Sequence, residues 1–382
     1  MKLCTVTGSR AEFFILKNLI AKFQKEQFFK HSLLITGSHT SKFFGKTIRD
    51  IKREGINIKR IINLNLRGDK PQDISNYFAT GVKKFSKEFL KLKPDLVLVL
   101  GDRYEIYSAA ISAYFSNIPI VHLYGGETTK GSLDEGIRHS ISKLSNLHFV
   151  STEKHFDKVC SLGINKKYIF NIGSIGVEAL KKHKLIDKKT LEKKLNIKLN
   201  KKNILMTFHP ETINDKKENL KNLEVLLSCL KNRKNTSIII TMPGADHYYK
   251  SIYSKLVSFN KKNSNVFLFK SLGHDNYFSI CKVVDFMIGN SSSGIIEMPT
   301  LKKGTINLGI RQLGRIQPSS VINAKFNKKN IISAINKIYS KNFKKILQTT
   351  KNPYEKKNSL SKIIRILKSL DMKSIKNNTK LL

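Results

Sequence analysis

The sequence predicts an α/β protein with two domains, each built on a parallel β-sheet. Short apolar runs alternate with amphipathic helical segments, which is the pattern of buried parallel strands and the helices that connect them. Many of these runs end at a glycine that is followed by polar residues. The length of 382 residues is sufficient for two domains with separate hydrophobic cores.

The first domain is predicted to span residues 1–175. Its strands are predicted at residues 3–7, 32–36, 96–100, 118–123, 147–150 and 169–172, and its helices at 13–23, 75–92, 104–117 and 153–162. Gly8 and Ser9 form a small-residue turn between the first strand and its helix, where backbone N–H groups favour an anion. This turn does not match the GxGxxG pattern of dinucleotide-binding proteins.

The second domain is predicted to span residues 176–350. Its strands are predicted at residues 203–208, 238–241, 266–269, 284–289 and 304–308, with a helix at 220–231. The Lys-rich stretch 181–202 predicts a solvated helix or linker. Residues 351–382 are predicted to form an amphipathic helix after Asn352 and a frayed polar tail after Met372.

The formal net charge of +42 arises from lysines that are spread along the whole chain. Nucleic-acid binding would require a basic face or a recognition motif, and the sequence contains no zinc-finger spacing, RNA-recognition signature or basic heptad region. We therefore interpret the charge as a compositional bias that favours solubility and anionic substrates. No nucleic-acid partner is expected.

The four cysteines lie far apart and form no CxxC pair, which is typical of reduced thiols in a cytoplasmic protein. Gly8 interrupts the N-terminal apolar run before a signal-peptide core develops. The longest apolar runs have the length of strands, so no membrane span or membrane partner is expected. No His, Cys or carboxylate cluster has metal-ligand spacing, and neither a metal nor an organic cofactor is predicted.

The stretch from Leu96 to Ser151 contains the main candidates for catalysis. Asp102 directly follows a predicted buried strand, and Glu127 and Asp134 lie on the loop after the next strand. Arg138 lies on the helix that follows this loop. Because ligands bind outside the carboxyl ends of parallel strands, we expect the three carboxylates to perform acid–base chemistry on a charged small molecule and Arg138 to bind that molecule.

Other candidates for substrate binding also follow predicted strands. They are Arg10, His39, His274 and Arg311, whereas His209, which also follows a predicted strand, is a candidate for catalysis. A histidine in such a loop is a stronger candidate than one inside a helix, although a structural role is the competing interpretation. An arginine there can bind a phosphate or a carboxylate, or form only a salt bridge.

The segment VDFMIGNSSSGIIE is the second distinctive stretch. A predicted strand ends at Gly289, and the hydroxyls of Ser291 and Ser292 then lie with Gly294 at the start of a predicted helix. Hydroxyls and free backbone N–H groups at a helix N-terminus suit a diphosphate. Glu297, one turn further along, is placed to accept hydrogen bonds from a ribose. The competing interpretation is a Ser-rich helix cap without a ligand.

These motifs together resemble the hydrolysing UDP-N-acetylglucosamine 2-epimerases of bacterial sialic-acid pathways, within the wider UDP-sugar 2-epimerase family. The matching motifs occur in order along nearly the whole chain and are VTGSRAE, GDRYE, HLYGGETTKGSLDEGIRHSISKLS, FNIGS, FHPET, IGNSSSGIIE, INLGIRQLGR and NPY. The resemblance implies two Rossmann-like domains facing across a cleft, a GT-B-like architecture, with the C-terminal helix packed on the first domain. It also implies a UDP-sugar substrate and a homodimer or homotetramer.

The implied reaction begins with anti elimination of UDP, which gives a 2-acetamidoglucal, and continues with addition of water to give N-acetylmannosamine. By this resemblance Asp102 is a proposed acid/base, Asp134 matches the acidic residue before the Ile-Arg-His element, and His209 lies near the leaving diphosphate. The family's diphosphate and ribose positions match Ser291, Ser292 and Glu297. Arg10 matches the family's first-loop arginine near the phosphates, and Arg311 matches its late arginine.

One position departs from the family pattern. Some relatives carry a catalytic glutamate where this sequence has Tyr124, within HLYGG. Glu127, three residues later, is the nearest carboxylate that can assume part of that role. A different proton-transfer partner is the alternative.

Three other functions are considered. A close alternative substrate is UDP-N,N′-diacetylbacillosamine, whose product leads to legionaminic acid. A glycosyltransferase of the same architecture would need an acceptor site, and the acidic loop that contains Glu127 and Asp134 argues against it. A polyanion binder is suggested only by the net charge.

Overall fold

The computed structural model describes residues 1–41, 47–65, 68–231, 233–244 and 246–378. The chain divides into two compact units. The first unit comprises the described residues of Met1–Glu127, Leu133–Ala179 and the segment from Tyr354 onward, and the second comprises Thr128–Ser132 and Leu180–Pro353. The short loop Thr128–Ser132 therefore belongs to the second unit, although the residues on both sides of it belong to the first.

The first unit contains a parallel sheet with the strand order β3-β2-β1-β4-β5-β6-β7 among the described residues. Its strands are β1 (Lys2–Thr7), β2 (Lys30–Ile35), β3 (Arg60–Ile61), β4 (Leu96–Leu100), β5 (Ile120–Leu123), β6 (Leu147–Val150) and β7 (Ile169–Asn171). Its helices up to the crossing are α1 (Arg10–Lys25), α2 (Ile48–Arg53), α3 (Pro71–Leu92), α4 (Tyr104–Phe115), α5 (Asp134–Leu144), α6 (Glu153–Cys160) and α7 (Ile175–Lys182). The strand order reverses between β1 and β4, which is the point where α/β sheets bind ligands.

The central strand β4 shows why its sequence is apolar at every position. Leu96, Leu98 and Leu100 belong to one buried cluster of side chains, whereas Val97 and Val99 belong to another. Successive side chains point to opposite faces of a strand, so both faces of this sheet are covered. Burial of each such side chain stabilises the fold by about 1.5–3 kcal/mol.

The second unit contains a parallel sheet with the strand order β10-β9-β8-β11-β12-β13 in the described part of the chain. Its strands are β8 (Lys202–Thr207), β9 (Thr236–Thr241), β10 (Val266–Phe269), β11 (Phe286–Gly289), β12 (Gly304–Leu308) and β13 (Val321–Ala324). Its helices are α8 (Lys188–Leu195), α9 (Lys216–Leu230), α10 (Tyr249–Lys261), α11 (His274–Val283), α12 (Ser293–Ile296), α13 (Lys328–Tyr339) and α14 (Lys341–Thr349). The strand order reverses between β8 and β11. Because these strands are parallel, the loops after them leave the same edge of the sheet.

The Lys-rich stretch forms a helix, which is one of the two predicted alternatives, whereas the C-terminal tail differs from the sequence-based expectation. The Lys-rich stretch contains α8, whose Leu191 is fully buried, so one face of this helix packs on the protein. The C-terminal segment forms α15 (Ser359–Lys368) and then α16 (Met372–Asn378). The expectation of a frayed tail directly after Met372 is therefore wrong for residues 372–378.

The buried side chain of Ile375 explains why the second C-terminal helix is ordered. This residue is 1% exposed, and its carbonyl oxygen accepts a hydrogen bond of 3.2 Å from Nδ2 of Asn146. Leu360 and Ile363 of α15 also belong to the apolar core of the first unit. None of the described helices combines the length and the hydropathy that a membrane span requires.

Candidate functional site

Arg138 is the centre of the acidic site in the first unit. Its side chain is 2% exposed and forms an ion pair with the carboxylate of Asp102. The same guanidinium donates to the carbonyl oxygen of Glu127 at 2.7 Å and to the carboxylate of Glu135 at 3.2 Å. The loops after β4 and β5 and the first turn of α5 are therefore joined by one cation.

Glu127 lies in a second, buried network. Its Oε1 accepts a hydrogen bond of 3.2 Å from Oγ of Ser151, and this hydroxyl lies 2.9 Å from Nδ1 of His155. The three residues are 6%, 1% and 3% exposed, respectively. Such a chain of polar groups fixes the orientation of the Glu127 carboxylate. Ser151 and His155 were not predicted as site residues. Ser151 follows β6 and His155 lies on α6, so both belong to a different βα unit from Glu127.

Asp134 begins α5 and is followed by Glu135 in the same first turn. Both carboxylates lie at the positive end of the helix dipole. Glu135 also contacts Nε2 of His139 at 3.0 Å. Arg138 thus contacts Asp102 and the backbone of Glu127, and Asp134 begins the helix that carries Arg138, while the parts of these three acidic residues in a reaction stay predictions.

His122 supports the turn that carries Asp102. Its Nε2 donates to the carbonyl oxygen of Gly101 at 2.8 Å, and its Nδ1 lies 3.0 Å from Oγ of Ser142. Burial lowers the pKa of His122 to about 4, so the imidazole is neutral at pH 7. Gly101 itself has a φ of +78°, a conformation that favours glycine.

Tyr124 has a structural role that its hydrogen bonds define. Its hydroxyl accepts from the backbone N–H of Ile175 at 2.8 Å and lies 3.2 Å from Oγ of Ser174. Burial raises the pKa of this hydroxyl well above its usual value. Tyr124 therefore caps the start of α7 with a neutral hydrogen-bonding group.

Arg10 and His39 follow β1 and β2. Arg10 begins α1, whose N-cap is Ser9, and burial lowers the pKa of its guanidinium while Asp50 opposes this effect. His39 is fully buried, with Nε2 at 3.3 Å from Oγ1 of Thr7 and Nδ1 at 2.5 Å from Oγ1 of Thr47. Burial and the nearby Arg10 charge lower the pKa of His39 to about 3. Direct contact of His39 with a substrate stays a prediction.

A buried pair of carboxylates shapes the turn before Arg10. Glu12 accepts a hydrogen bond of 2.7 Å from the backbone N–H of Gly8 and is 6% exposed. Burial and the nearby Glu105 raise the pKa of Glu12 to about 8. A Cβ atom on Gly8 would lie only 2.3 Å from Cγ of Glu105, so this turn requires glycine.

In the second unit, Asn290 joins the loops after β8 and β11. Its side chain accepts from the backbone N–H of His209 at 2.7 Å and donates to the carbonyl oxygen of His209 at 2.8 Å. The carbonyl oxygen of Asn290 accepts from Nε2 of Gln312 at 2.9 Å and from Nη1 of Arg311 at 3.3 Å. The imidazole of His209 lies with Nδ1 at 3.5 Å from the carboxylate of the buried Asp246.

Glu211 fixes the backbone that carries Arg311. Its Oε1 accepts from the backbone N–H groups of Ile310 at 2.7 Å and of Arg311 at 3.1 Å. Gly309 has a φ of +72°, and a Cβ atom there would lie 2.2 Å from Oε1 of Glu211. Asn290 and Glu211 were not among the predicted site residues, because Asn290 lies 81 residues from His209 and Glu211 lies 99 and 100 residues from Ile310 and Arg311.

The serine-rich segment forms only one helical turn, because α12 ends at Ile296 and Glu297 follows as its C-cap. Ser291 and Ser292 precede this turn, and the hydroxyl of Tyr277 donates to Oγ of Ser293 at 2.6 Å. Gly294 is needed for packing, since a Cβ atom there would lie 2.5 Å from Cγ2 of Thr305. This segment presents its hydroxyls at the carboxyl edge of β11.

His274 begins α11 beside two other potential ligands. Its Nδ1 lies 3.5 Å from Oδ1 of Asp275, and Nε2 of His183 lies 3.5 Å from the same oxygen. The three groups could together hold a metal ion. The sequence gave no such indication because His183 is 91 residues before His274. The structure therefore contains a potential metal-ligand cluster, although none was expected from the sequence.

Comparison with known proteins identifies the family. The sequence profile described as UDP-N-acetylglucosamine 2-epimerase matches residues 21–368. The chain belongs to the UDP-N-acetylglucosamine 2-epimerase family. The predicted resemblance is therefore confirmed, and so is the prediction that the chain is an enzyme of the UDP-sugar 2-epimerase kind.

Two relatives of this epimerase family member match almost its whole length. A GDP/UDP-N,N′-diacetylbacillosamine 2-epimerase (hydrolyzing) of Campylobacter jejuni is 40% identical over 90% of this chain and 88% of the relative. The polysialic acid biosynthesis protein P7 of Escherichia coli is 38% identical over 96% of this chain and 93% of the relative.

The fold agrees with that of a solved epimerase. The crystal structure of UDP-GlcNAc 2-epimerase from Neisseria meningitidis, bound to UDP-GlcNAc, is similar with a TM-score of 0.83 at 22% identity. The similarity covers 97% of this chain and 100% of the other. The predicted fold of two parallel-sheet α/β domains is confirmed.

Proposed function

We propose that the enzyme is a hydrolysing UDP-N-acetylglucosamine 2-epimerase, which releases UDP and N-acetylmannosamine. The observation that carries the proposal is the cluster of carboxylates that Arg138 holds at the carboxyl edge of the first sheet. The similarity to a polysialic acid biosynthesis protein and to an epimerase solved with UDP-GlcNAc supports this substrate.

The chemistry needs carboxylates in separate roles. In the first step, a base removes the proton from C2 of the sugar while the C1–O bond breaks and its electron pair leaves with UDP. The product is a 2-acetamidoglucal with a double bond between C1 and C2. In the second step, the oxygen of water adds to C1. At the same time C2 receives a proton on the face opposite to the one from which its first proton was removed. One carboxylate cannot serve both faces, so at least two are required.

We assign Asp102 to proton transfer at C2. Asp102 lies just after β4, and its ion pair with Arg138 fixes the position of the carboxylate. Glu127 and Asp134 are assigned to protonation from the other face and to activation of water. The buried hydrogen bond from Ser151 supports an oriented Glu127 carboxylate.

We assign nucleotide binding to the second unit. Departure of the diphosphate requires hydrogen-bond donors and cations. Ser291, Ser292 and Arg311 offer such donors at the carboxyl edge of the sheet, beside the His209–Asp246 pair. Glu297 is proposed to accept from the ribose, and Gly294 and His274 remain proposed substrate contacts.

Arg10 and His39 are the remaining proposed groups of the first unit. Arg10 at the start of α1 offers a cation together with the N–H groups of the helix N-terminus. The neutral His39 packs behind this turn and keeps it in place. Arg138 contributes by positioning the acidic groups.

A second candidate substrate is UDP-N,N′-diacetylbacillosamine. The relative that is 40% identical carries this sugar in its name, which favours the hypothesis. The bonds that break and form at C1 and C2 are the same for both substrates. Only groups near C4 and C6 of the sugar distinguish them.

Proton NMR in D2O tests the proposal, with each UDP-sugar offered separately. Release of UDP together with deuterium at C2 of N-acetylmannosamine is expected from UDP-N-acetylglucosamine. Turnover of the diacetylbacillosamine nucleotide alone would assign the second substrate. Transfer of the sugar to an added acceptor without deuterium at C2 would instead indicate a glycosyltransferase, and the absence of any turnover would contradict the proposal.

We further propose that the enzyme acts in the cytoplasm as a homodimer or homotetramer. The family resemblance supports the oligomer, and the four cysteines are free thiols in the structure. Light scattering coupled to size-exclusion chromatography tests the assembly. A monomer at micromolar concentration would contradict it.

A further inference from the structure

Three side chains of the second unit converge on one point, and one of them, His274, is also a proposed substrate contact. His183 follows α7, and His274 and Asp275 form the first turn of α11. Their potential ligand atoms, two imidazole nitrogens and one carboxylate oxygen, all lie within 4.8 Å of one another. From this convergence we propose that His183, His274 and Asp275 bind a divalent cation of the zinc class.

The separations between the donor atoms fit a metal better than a hydrogen bond. Both imidazole nitrogens lie 3.5 Å from Oδ1 of Asp275, and Nε2 of His183 makes no hydrogen bond. A hydrogen bond between nitrogen and oxygen has a length of about 2.7–3.2 Å. Two ligands of a tetrahedral zinc ion, each about 2.0–2.2 Å from the metal, lie about 3.3–3.6 Å apart.

The imidazole rings are already held in place. The rings of His183 and His274 are 5.3 Å apart and nearly perpendicular. Both contact the ring of the buried Phe278, at centroid distances of 5.7 and 4.2 Å. Binding of an ion therefore requires little rearrangement of the two histidines.

The donor set selects the class of ion. Two imidazole nitrogens and one carboxylate suit zinc and its neighbours in the first transition series, whereas magnesium and calcium prefer oxygen ligands alone. The Asp275 side chain is 52% exposed, so water can complete the coordination. The site thus has three protein ligands and an open position.

The location of the site suggests what the ion does. Helix α7 has its first residues in the first unit and its last residues in the second, and His183 is the residue after it. A bound ion would join the end of this connecting helix to α11. The proposed role of the ion is therefore structural, with no part in the bond changes at C1 and C2.

Metal binding by the full-length, tag-free enzyme tests the proposal. After treatment with a chelator, equilibrium dialysis against Zn²⁺ is expected to give one tightly bound ion per chain. Co²⁺ is expected to give the visible absorption bands of a four- or five-coordinate site. The variants H183Q, H274Q and D275N should each bind Zn²⁺ about tenfold or more weakly, since the loss of even an outer-shell partner costs this much.

The variant H31Q is the matched control. His31 is half-buried in β2, away from the cluster, and its loss should leave Zn²⁺ binding unchanged. Circular dichroism checks the fold of each variant, and D275N carries the test if a histidine variant unfolds, because Asp275 is more than half exposed. Equal Zn²⁺ affinity in the wild type and D275N, or no stoichiometric binding by the wild type, would overturn the proposal.

Discussion

Replacement of Arg138 by glutamine tests the organisation of the acidic site most directly. The variant removes the ion pair with Asp102 and the hydrogen bonds to Glu135 and to the carbonyl oxygen of Glu127. Glutamine is shorter and neutral, so it cannot replace the three contacts at once. Both stability and turnover should fall.

The size of the stability change follows from burial. A hydrogen bond to a charged group contributes about 1.5–3 kcal/mol. The carboxylates of Asp102 and Glu135 are 21% and 23% exposed, so water can solvate them after the change. We therefore expect the free energy of unfolding to fall by about 2–4 kcal/mol, somewhat less than the about 3–5 kcal/mol that is lost when a fully buried pair is broken.

The expected loss of turnover in R138Q follows from the position of Arg138, which pairs with Asp102. Asp102 loses the group that orients it, and misplacement of a reacting group by about 1 Å costs about 10²-fold in rate. We expect kcat to fall by about this factor, with a smaller change in the affinity for UDP. A coupled assay of UDP release measures kcat, and calorimetric titration measures the affinity for UDP.

The same substitution at an exposed arginine, R53Q, is the matched control for the loss of a positive charge. Arg53 is 80% exposed and lies 3.8 Å from Asp50, so R53Q should change the free energy of unfolding by less than about 1 kcal/mol. A folded R138Q variant with the stability and kcat of the wild type would refute the central role of Arg138.

Three further predictions concern single side chains. D102N should abolish turnover in the NMR assay while calorimetry still detects UDP binding; a wild-type rate would remove Asp102 from the mechanism. Because the pKa of Glu12 rises from 4.5 to about 8 on folding, the folded state binds the additional proton, and the free energy of unfolding should fall as the pH rises from 4.5 to 8. In E12Q this contribution to the pH dependence should be absent from chemical denaturation curves, and an unchanged slope would contradict the burial argument. Y124F removes the acceptor of a buried N–H and should lower the free energy of unfolding by about 1–3 kcal/mol. Its kcat should stay within about tenfold of the wild type, and abolished turnover with normal stability would indicate a chemical role for the hydroxyl instead.

The sequence is informative wherever a pattern is local. Strands β6, β10 and β12 have the predicted bounds, because each is a short apolar run that ends in polar residues or glycine. Helices α10, α13 and α14 were not predicted, since their apolar positions are interspersed with many lysines and polar residues. Strand β13 was not predicted because it has only four residues, one of them the polar Asn323. The order of α16 depends on the burial of Ile375, a tertiary contact that its polar sequence does not show.

The sequence by itself determined the family, the two-domain α/β fold and the strand-end positions of the candidate groups. These features depend on periodicity and on motifs within a few residues. The tertiary structure alone showed that Arg138 joins three acidic segments, that Asn290 holds His209, and that Tyr124 caps a helix. It also brought His183 to His274. Such pairings are decided by the packing of distant segments, because a side chain's partner is set by the path of the folded chain.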